Sequence, residues 1–307
     1  MTKINSVALP RGIVSVVQTP FAPDGSIDLD SLGCLLDDAI AGGVSGLLAP
    51  VVASEVACLS VAERIQVLQF LSKQIAGRVP LIVGASSDDV ATCHFMQNVA
   101  CDIGAAAWLV AVPQAFYQDQ GQVIPFFRDV CTDNRLPLII QDLQFGGPGL
   151  PLSLIRELRM QIPAFQGIKI ETVPAGPKYT EVRRTLGVDF FIAGGWAVSQ
   201  LIEALDRGVD AMIPESAMVR VYCEIFRRYA CGDRDGAQTL FRSLLPILAF
   251  TNQELSVSIA FFKRLLVRKG IFENEMLRLQ GFVWDEYNQR IADELIEHYL
   301  TLEAPFV

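Results

Sequence analysis

The chain has few of the residues that histidine chemistry or a nitrogen- and sulfur-liganded metal would require. It carries two histidines in 307 residues, His94 and His298, and neither belongs to an HxxxH or Cys/His cluster. A histidine-based metal site and a Ser/His triad therefore lack their parts, and no metal is expected. The seven cysteines (Cys34, Cys58, Cys93, Cys101, Cys131, Cys223 and Cys231) are odd in number and include no CxxC pair, as expected of reduced, mostly buried thiols. No GxGxxG is present, so no dinucleotide fingerprint or cofactor is indicated. Positive charge is scarce: 25 Lys and Arg against 34 Asp and Glu give a net charge of -9, without the basic stripe that a nucleic-acid groove needs. No stretch approaches ~18 uninterrupted apolar residues, and MTKINSVALPRG has no apolar core followed by a small-residue cleavage site. The expectation is a soluble cytoplasmic protein with no nucleic-acid or membrane partner.

What the chain does have is apolar and rhythmic. Hydrophobic residues make up 51% and charged ones 19%, enough to bury a large core. From residue 12 onward, short β-branched runs alternate with amphipathic stretches. GIVSVVQ leads into SLGCLLDDAI, GLLAPV into VAERIQVLQFLSKQI, PLIVGA into DVATCHFMQNVA, and AWLVAVP into VIPFFRDVCTD. PLIIQD, FQGIKI, DFFIAG and DAMIP then lead into LSLIRELRMQ, KYTEVRRTL, WAVSQLIEALDRG and AMVRVYCEIFRRYA. Eight such repeats in roughly 220 residues, with near-continuous apolar strands, predict an α/β fold, a parallel (β/α)8 TIM barrel; an open doubly wound sheet is the alternative. After Asp233 the strands stop, and three helical stretches follow. The expected division is a barrel over 1–232 and a C-terminal three-helix extension over 233–307.

Barrels of this class build their chemistry at the C-terminal ends of the strands and in the loops that follow. Residues there are Thr19, Ser54, Glu55, Gln114, Tyr117, Gln141, Asp142, Lys169, Glu171, Gly194 and Gly195, with Ile213 and Pro214 to Ser216 at the end of the last strand. Of six lysines, Lys3, Lys73, Lys178, Lys263 and Lys269 fall at the terminus, on helices or in loops, where solvated lysines are expected. Lys169 lies inside the strand GIKIET. If Ile168 and Ile170 face the helices, alternation points Lys169 into the barrel. A lysine that gives up its proton there is an amine able to attack a ketone; a buried ion pair with Glu171, Glu55 or Asp142 accounts for the position equally well.

GIKIET and TPFAPDGSID, together with GGVSGLL, LSVAER and GVDAMIP in this order, resemble the N-acetylneuraminate lyase and dihydrodipicolinate synthase superfamily of class I aldolases over most of the chain. The resemblance implies the barrel fold, a homotetramer built as a dimer of dimers, and no cofactor. It also implies that Lys169 forms a Schiff base with pyruvate or another 2-oxo acid, whose protonated imine serves as an electron sink for aldol cleavage, condensation or dehydration.

The departures are as informative as the matches. Where the family has GTTGE to hold the substrate carboxylate, this chain has VVASE, leaving the backbone at Ala53 or Ser54, the Ser54 hydroxyl and Glu55. The strand-five tyrosine that shuttles protons is replaced by Gln141, with Asp142 beside it, and the PYY segment by VPQAFYQ, with Tyr117 nearby. Glutamine cannot carry a proton, so Asp142 or Tyr117 is expected to do so. Gly194, Gly195, Trp196 and Ile213 are expected to line the pocket. True dihydrodipicolinate synthase activity is not expected. Two rival readings remain: a catalytically altered member that binds a 2-oxo acid or sugar acid as a sensor, and a metal-dependent aldolase with Glu55, Asp142 and Glu171 around a divalent ion.

Overall fold

In the computed structural model, which describes residues 8–195 and 198–307, eight strands close into a barrel in sequence order. They are β1 (Gly12–Val16), β2 (Gly46–Ala49), β3 (Leu81–Gly84), β4 (Ala107–Ala111), β5 (Leu138–Leu143), β6 (Phe165–Glu171), β7 (Phe191–Gly194) and β8 (Ala211–Met212). β1 pairs with β2, and β3 to β8 pair in succession, all parallel. Every residue of β1, β2, β3 and β5 is buried, as a parallel sheet covered on both faces requires. The TIM-barrel expectation is thus met, and the open sheet is excluded.

The alternating helices are α1 (Leu29–Ala41), α2 (Val61–Ile75), α3 (Val90–Asp102), α4 (Val123–Val130), α5 (Leu152–Gln161), α6 (Ala175–Leu186), α7 (Leu201–Asp206) and α8 (Val219–Ala230). After them come α9 (Arg234–Thr251), α10 (Leu255–Arg268) and α11 (Glu286–Glu303). Their starts are written in the sequence: Asp28 caps α1 by accepting from Ser31 N–H, and Ser60 and Glu63 form a reciprocal capping box on α2. Two elements are shorter than the sequence suggests. The helix expected from Trp196 begins at Leu201, after a turn in which Val198 has φ 50°; Trp196 itself lies outside the described residues. The last strand stops at Met212 because Pro214, which has no N–H, offers only its carbonyl, to Val16 N–H at 2.7 Å.

The chain gathers into two compact units. One holds 80–195 and 203–212, with β3 to β8 and α3 to α6; the other holds 12–79, 198–202 and 213–307, with β1, β2, α1, α2 and α8 to α11. In the second, α9 packs on α8, and α10 and α11 pack on α9. No helix among the described residues is long and apolar enough to cross a membrane.

One irregularity sets the register of the first unit. Leu138 pairs with Phe165 but Ile139 pairs with Gly167, so Gln166 is passed over and Gln141 comes level with Lys169. On β7, Ala193 lies level with Lys169.

Candidate active site

Alternation along β6 puts Gly167, Lys169 and Glu171 on one face, with Ile168 and Ile170 fully buried on the other. Residues level in the register share a face, so Lys169 is flanked by Gln141 and Ala193. Lys169 Nζ lies 3.0 Å from Glu171 Oε1, the two side chains being 4% and 5% exposed. The Gln141 amide donates to Glu171 Oε2 at 2.5 Å. Two glycines make the space. A Cβ on Gly195 would stand 2.2 Å from Glu171 Oε1 and 2.6 Å from Lys169 Cε, and one on Gly167 would stand 2.8 Å from the Phe191 ring. The result is a buried amine in contact with a carboxylate, with an amide fixing the carboxylate. Gly194, expected to line the pocket, faces the other way. A Cβ there would stand 2.6 Å from the Tyr179 hydroxyl and 2.8 Å from Met212 Sδ.

Asp142 corrects the sequence reading. It lies one residue beyond Gln141, level with Ile170, and so points away from the Lys169 face. Its fully buried carboxylate accepts from Leu150 N–H at 3.0 Å, from the Tyr117 hydroxyl at 3.0 Å and from Lys178 Nζ at 2.5 Å. Lys178 also donates to the Pro148 carbonyl at 2.7 Å. Burial raises the Asp142 pKa above the ordinary carboxylate value against the pull of Lys178, and burial lowers that of Lys178. The Tyr117 phenol is pushed upward, first by burial and then by the Asp142 charge beside it. Asp142 therefore bonds Tyr117 and Lys178 away from the Lys169 face, and the expectation that Asp142 carries protons at Lys169 is withdrawn; the Glu171 charge also bears on Tyr117.

The second unit carries the VVASE segment. After β2, Val52–Ser54 make one 3-10 turn in which Ser54 N–H and Glu55 N–H return to the carbonyls of Val51 and Val52. The Ser54 hydroxyl donates to the Val17 carbonyl at 2.6 Å and accepts from Val51 N–H at 3.2 Å, so it has no proton left for a ligand. The N–H groups of Val52 and Ala53 bond to nothing among the described residues, so of the sequence candidates the Ala53 backbone is the donor that stays free. Glu55 turns its fully buried carboxylate to the C-terminal segment, pairing with Lys263 and accepting from the N–H groups of Arg278 and Leu279. Ile213 is buried beyond β8.

Three lysines taken as solvated are held in ion pairs: Lys178, half-buried, as above; Lys263, only 1% exposed, with Glu55; and Lys269, half-buried, with Asp38 and Glu303. The signal for Lys263 is in the sequence. Ile259, Phe262, Lys263 and Leu266 fall at helical spacing on the buried stripe of α10, and a lysine on such a stripe needs an acid opposite it. Likewise, the i+2 spacing of Glu171 from Lys169 marks it as the same-face partner. Glu55, Asp142 and Glu171 each pair with a different lysine, and no cluster of three metal-ligating side chains occurs among the described residues.

Comparison with known proteins supports the family and the fold. L-2-keto-3-deoxyarabonate dehydratase of Azospirillum brasilense is 27% identical over 274 residues, 87% of each chain. 4-Hydroxy-tetrahydrodipicolinate synthase of Xanthomonas axonopodis pv. citri (strain 306) is 29% identical over 300 residues, covering 95% of this chain and 96% of that protein. The sialic acid aldolase of Ruminococcus gnavus superposes with a TM-score of 0.87 at 17% identity, over 97% of this chain and 99% of its own, a likeness of fold. The dihydrodipicolinate synthetase family profile matches residues 9–295, and the chain belongs to that family.

Proposed function

We propose that this chain is a lyase that forms a Schiff base between Lys169 and a 2-oxo acid, and that its substrate is a 2-keto-3-deoxy sugar acid that loses water. The observation that carries the reading is the buried Lys169–Glu171 contact at 3.0 Å. The amine must be deprotonated before it attacks the C2 ketone, and Glu171 is placed to take that proton. Attack and loss of water give the iminium ion. Removal of a C3 proton by Glu171 then gives an enamine, and expulsion of the C4 hydroxyl, with a proton returned to it, completes the dehydration; hydrolysis frees Lys169. Gln141 holds the Glu171 carboxylate throughout and takes no proton itself. Among the relatives, the dehydratase of a 2-keto-3-deoxy acid supports this substrate class. The missing strand-five tyrosine supports a reaction other than dihydrodipicolinate synthesis. A homotetramer is part of the same reading.

Borohydride trapping tests it. Pyruvate, 2-oxobutyrate and 2-keto-3-deoxy sugar acids are offered separately, and the adduct is located by peptide mass. The expected result is a reduced adduct on Lys169 that disappears in Lys169→Ala, with water loss from the sugar acid. Binding by calorimetry without any adduct refutes the lyase reading and leaves a sugar-acid sensor in its place.

A further inference from the structure

The segments that follow Asp142 and Glu171 begin α5 and α6, which pack on each other within the first unit. Both beginnings are rich in proline. Pro148, Pro151, Pro174 and Pro177, with Leu152 and Ile155, line a cavity of about 370 Å³ there. Proline fixes its own φ and has no N–H, so these walls are stiff and the prolines offer a ligand no backbone donor. The volume is that of a small-molecule site, and apolar walls with a few polar groups are the composition such sites have. Lys169, Glu171 and Gln141 are not among the residues that line it.

Two side chains of opposite charge line the same cavity. Lys178 and Glu181 are three residues apart on α6 and so share one face, yet Lys178 pairs with Asp142 and not with Glu181. The Lys178 ammonium gives two of its three N–H groups to Asp142 and the Pro148 carbonyl, and the third has no acceptor among the described residues. Glu181 is exposed, and its carboxylate has no hydrogen-bond or ion-pair partner among the described residues. A carboxylate drawn to Lys178 alone is repelled by Glu181, and an ammonium drawn to Glu181 alone is repelled by Lys178; a molecule that carries both groups satisfies both. Helix neighbours at this spacing are about 5–6 Å apart at Cβ, so the two complementary groups belong close together in the ligand, as they are in an α-amino acid.

We propose that this cavity is a second binding site, separate from Lys169, for an α-amino acid with an apolar side chain. The ligand carboxylate bonds to Lys178, its ammonium pairs with Glu181, and its side chain lies against the prolines, Leu152 and Ile155. Lys178 joins the occupant to Asp142, and Asp142 to Tyr117 and the Leu150 N–H. Only the folded chain has the cavity, so occupancy raises thermal stability. The inference does not depend on Schiff-base chemistry at Lys169.

The test is titration calorimetry at neutral pH, with melting temperature read alongside. L-Leucine is the probe, N-acetyl-L-leucine supplies the carboxylate without the ammonium, and 3-methylbutylamine supplies the ammonium without the carboxylate. Leucine is expected to bind the wild type and Lys169→Ala equally and to raise the melting temperature of both. Each single-charge analogue is expected to bind about tenfold more weakly or worse, and Glu181→Gln to weaken leucine by about tenfold. Lys178→Met is expected to weaken it at least as much. Glu181→Gln decides the matter if Lys178→Met does not fold, because Glu181 is exposed and bonds to no described residue. Absence of leucine binding at millimolar concentration, or binding that Glu181→Gln leaves unchanged, overturns the site. Loss of leucine binding in Lys169→Ala overturns its separateness from Lys169, and an analogue that binds as tightly as leucine overturns the choice of an amino acid.

Discussion

Two lysine–carboxylate pairs lie within one strand spacing of each other, and their surroundings differ in kind. Lys169–Glu171 sits on the Gly167 face of β6, packed closely against Gly195, with an amide on one carboxylate oxygen and the amine on the other. Lys178–Asp142 sits on the opposite face of the same sheet, with the carboxylate also bonded to a main-chain N–H and a phenol. In both, burial makes a partner obligatory, so burial alone does not separate a reactive pair from a structural one. What separates them is the face of the sheet that each serves. Parity along the strand decides this: Gln141 and Asp142 are adjacent in sequence yet serve opposite faces.

The comparison breaks if the two pairs respond alike to loss of charge. Lys178→Met leaves Asp142 charged, buried and unpaired, so it should cost about 3–5 kcal/mol of stability while turnover per folded molecule changes by less than about threefold. Glu171→Gln keeps shape and removes the base. It should lower kcat by roughly 10²- to 10³-fold, and it should lower the melting temperature as well, because Lys169 is left buried without its carboxylate. Melting curves and single-turnover rates on both variants check this, and a Lys178→Met that folds well but turns over a hundredfold slower would reverse the assignments.

The barrel, its eight repeats and the three terminal helices were legible because apolar periodicity is a local property of the chain. Lys169 was legible for a related reason, as the one lysine inside a strand. The partners were not. Asp142 looked like the replacement proton carrier because it is a carboxylate next to Gln141 in sequence, but a step of one residue on a strand reverses the face. Lys263 looked solvated because a charge on a helix usually is, and its acid lies about 200 positions away in the chain, at Glu55. The Ser54 hydroxyl looked free because nothing in VVASE shows that the Val17 carbonyl takes it. Long-range pairing is fixed by the closed fold, and composition and spacing carry little of it.

A carboxylate with no lysine sharpens the comparison. Fully buried Glu215 accepts from the N–H groups of Ala217 and Met218, and no cation pairs with it among the described residues. Burial raises its pKa from 4.5 to about 7, unlike a carboxylate held ionised by an ammonium. Between those values the folded chain keeps a proton that the unfolded chain has released, so stability falls as pH rises through the window. The contribution is fully present below about 4.5 and lost by about 7, amounting to about 3 kcal/mol for the whole shift. Glu215→Gln should match the wild type near pH 5 and exceed its stability at pH 8; denaturant titrations at the two pH values decide, and parallel curves would mean that Glu215 is ionised when buried.

The smallest effect tests the close approach of Gly195 to the pair most directly. Gly194 and Gly195 are adjacent, and each gains one methyl group on substitution by alanine. At Gly195 the new Cβ would collide with Glu171 Oε1 and Lys169 Cε, both on flexible side chains. The expected outcome is a modest loss of stability and a fall in kcat of about tenfold, as the amine and base are pushed out of line. At Gly194 the collision is with the Tyr179 hydroxyl and Met212 Sδ in packed surroundings, so the expected outcome is a loss of about 1–3 kcal/mol with kcat per folded molecule unchanged. If both substitutions lower kcat equally, parity does not separate the faces functionally. If only Gly195→Ala does, the close packing of Gly195 against Lys169 and Glu171 is what the reactive pair needs and the pair on the other face does not.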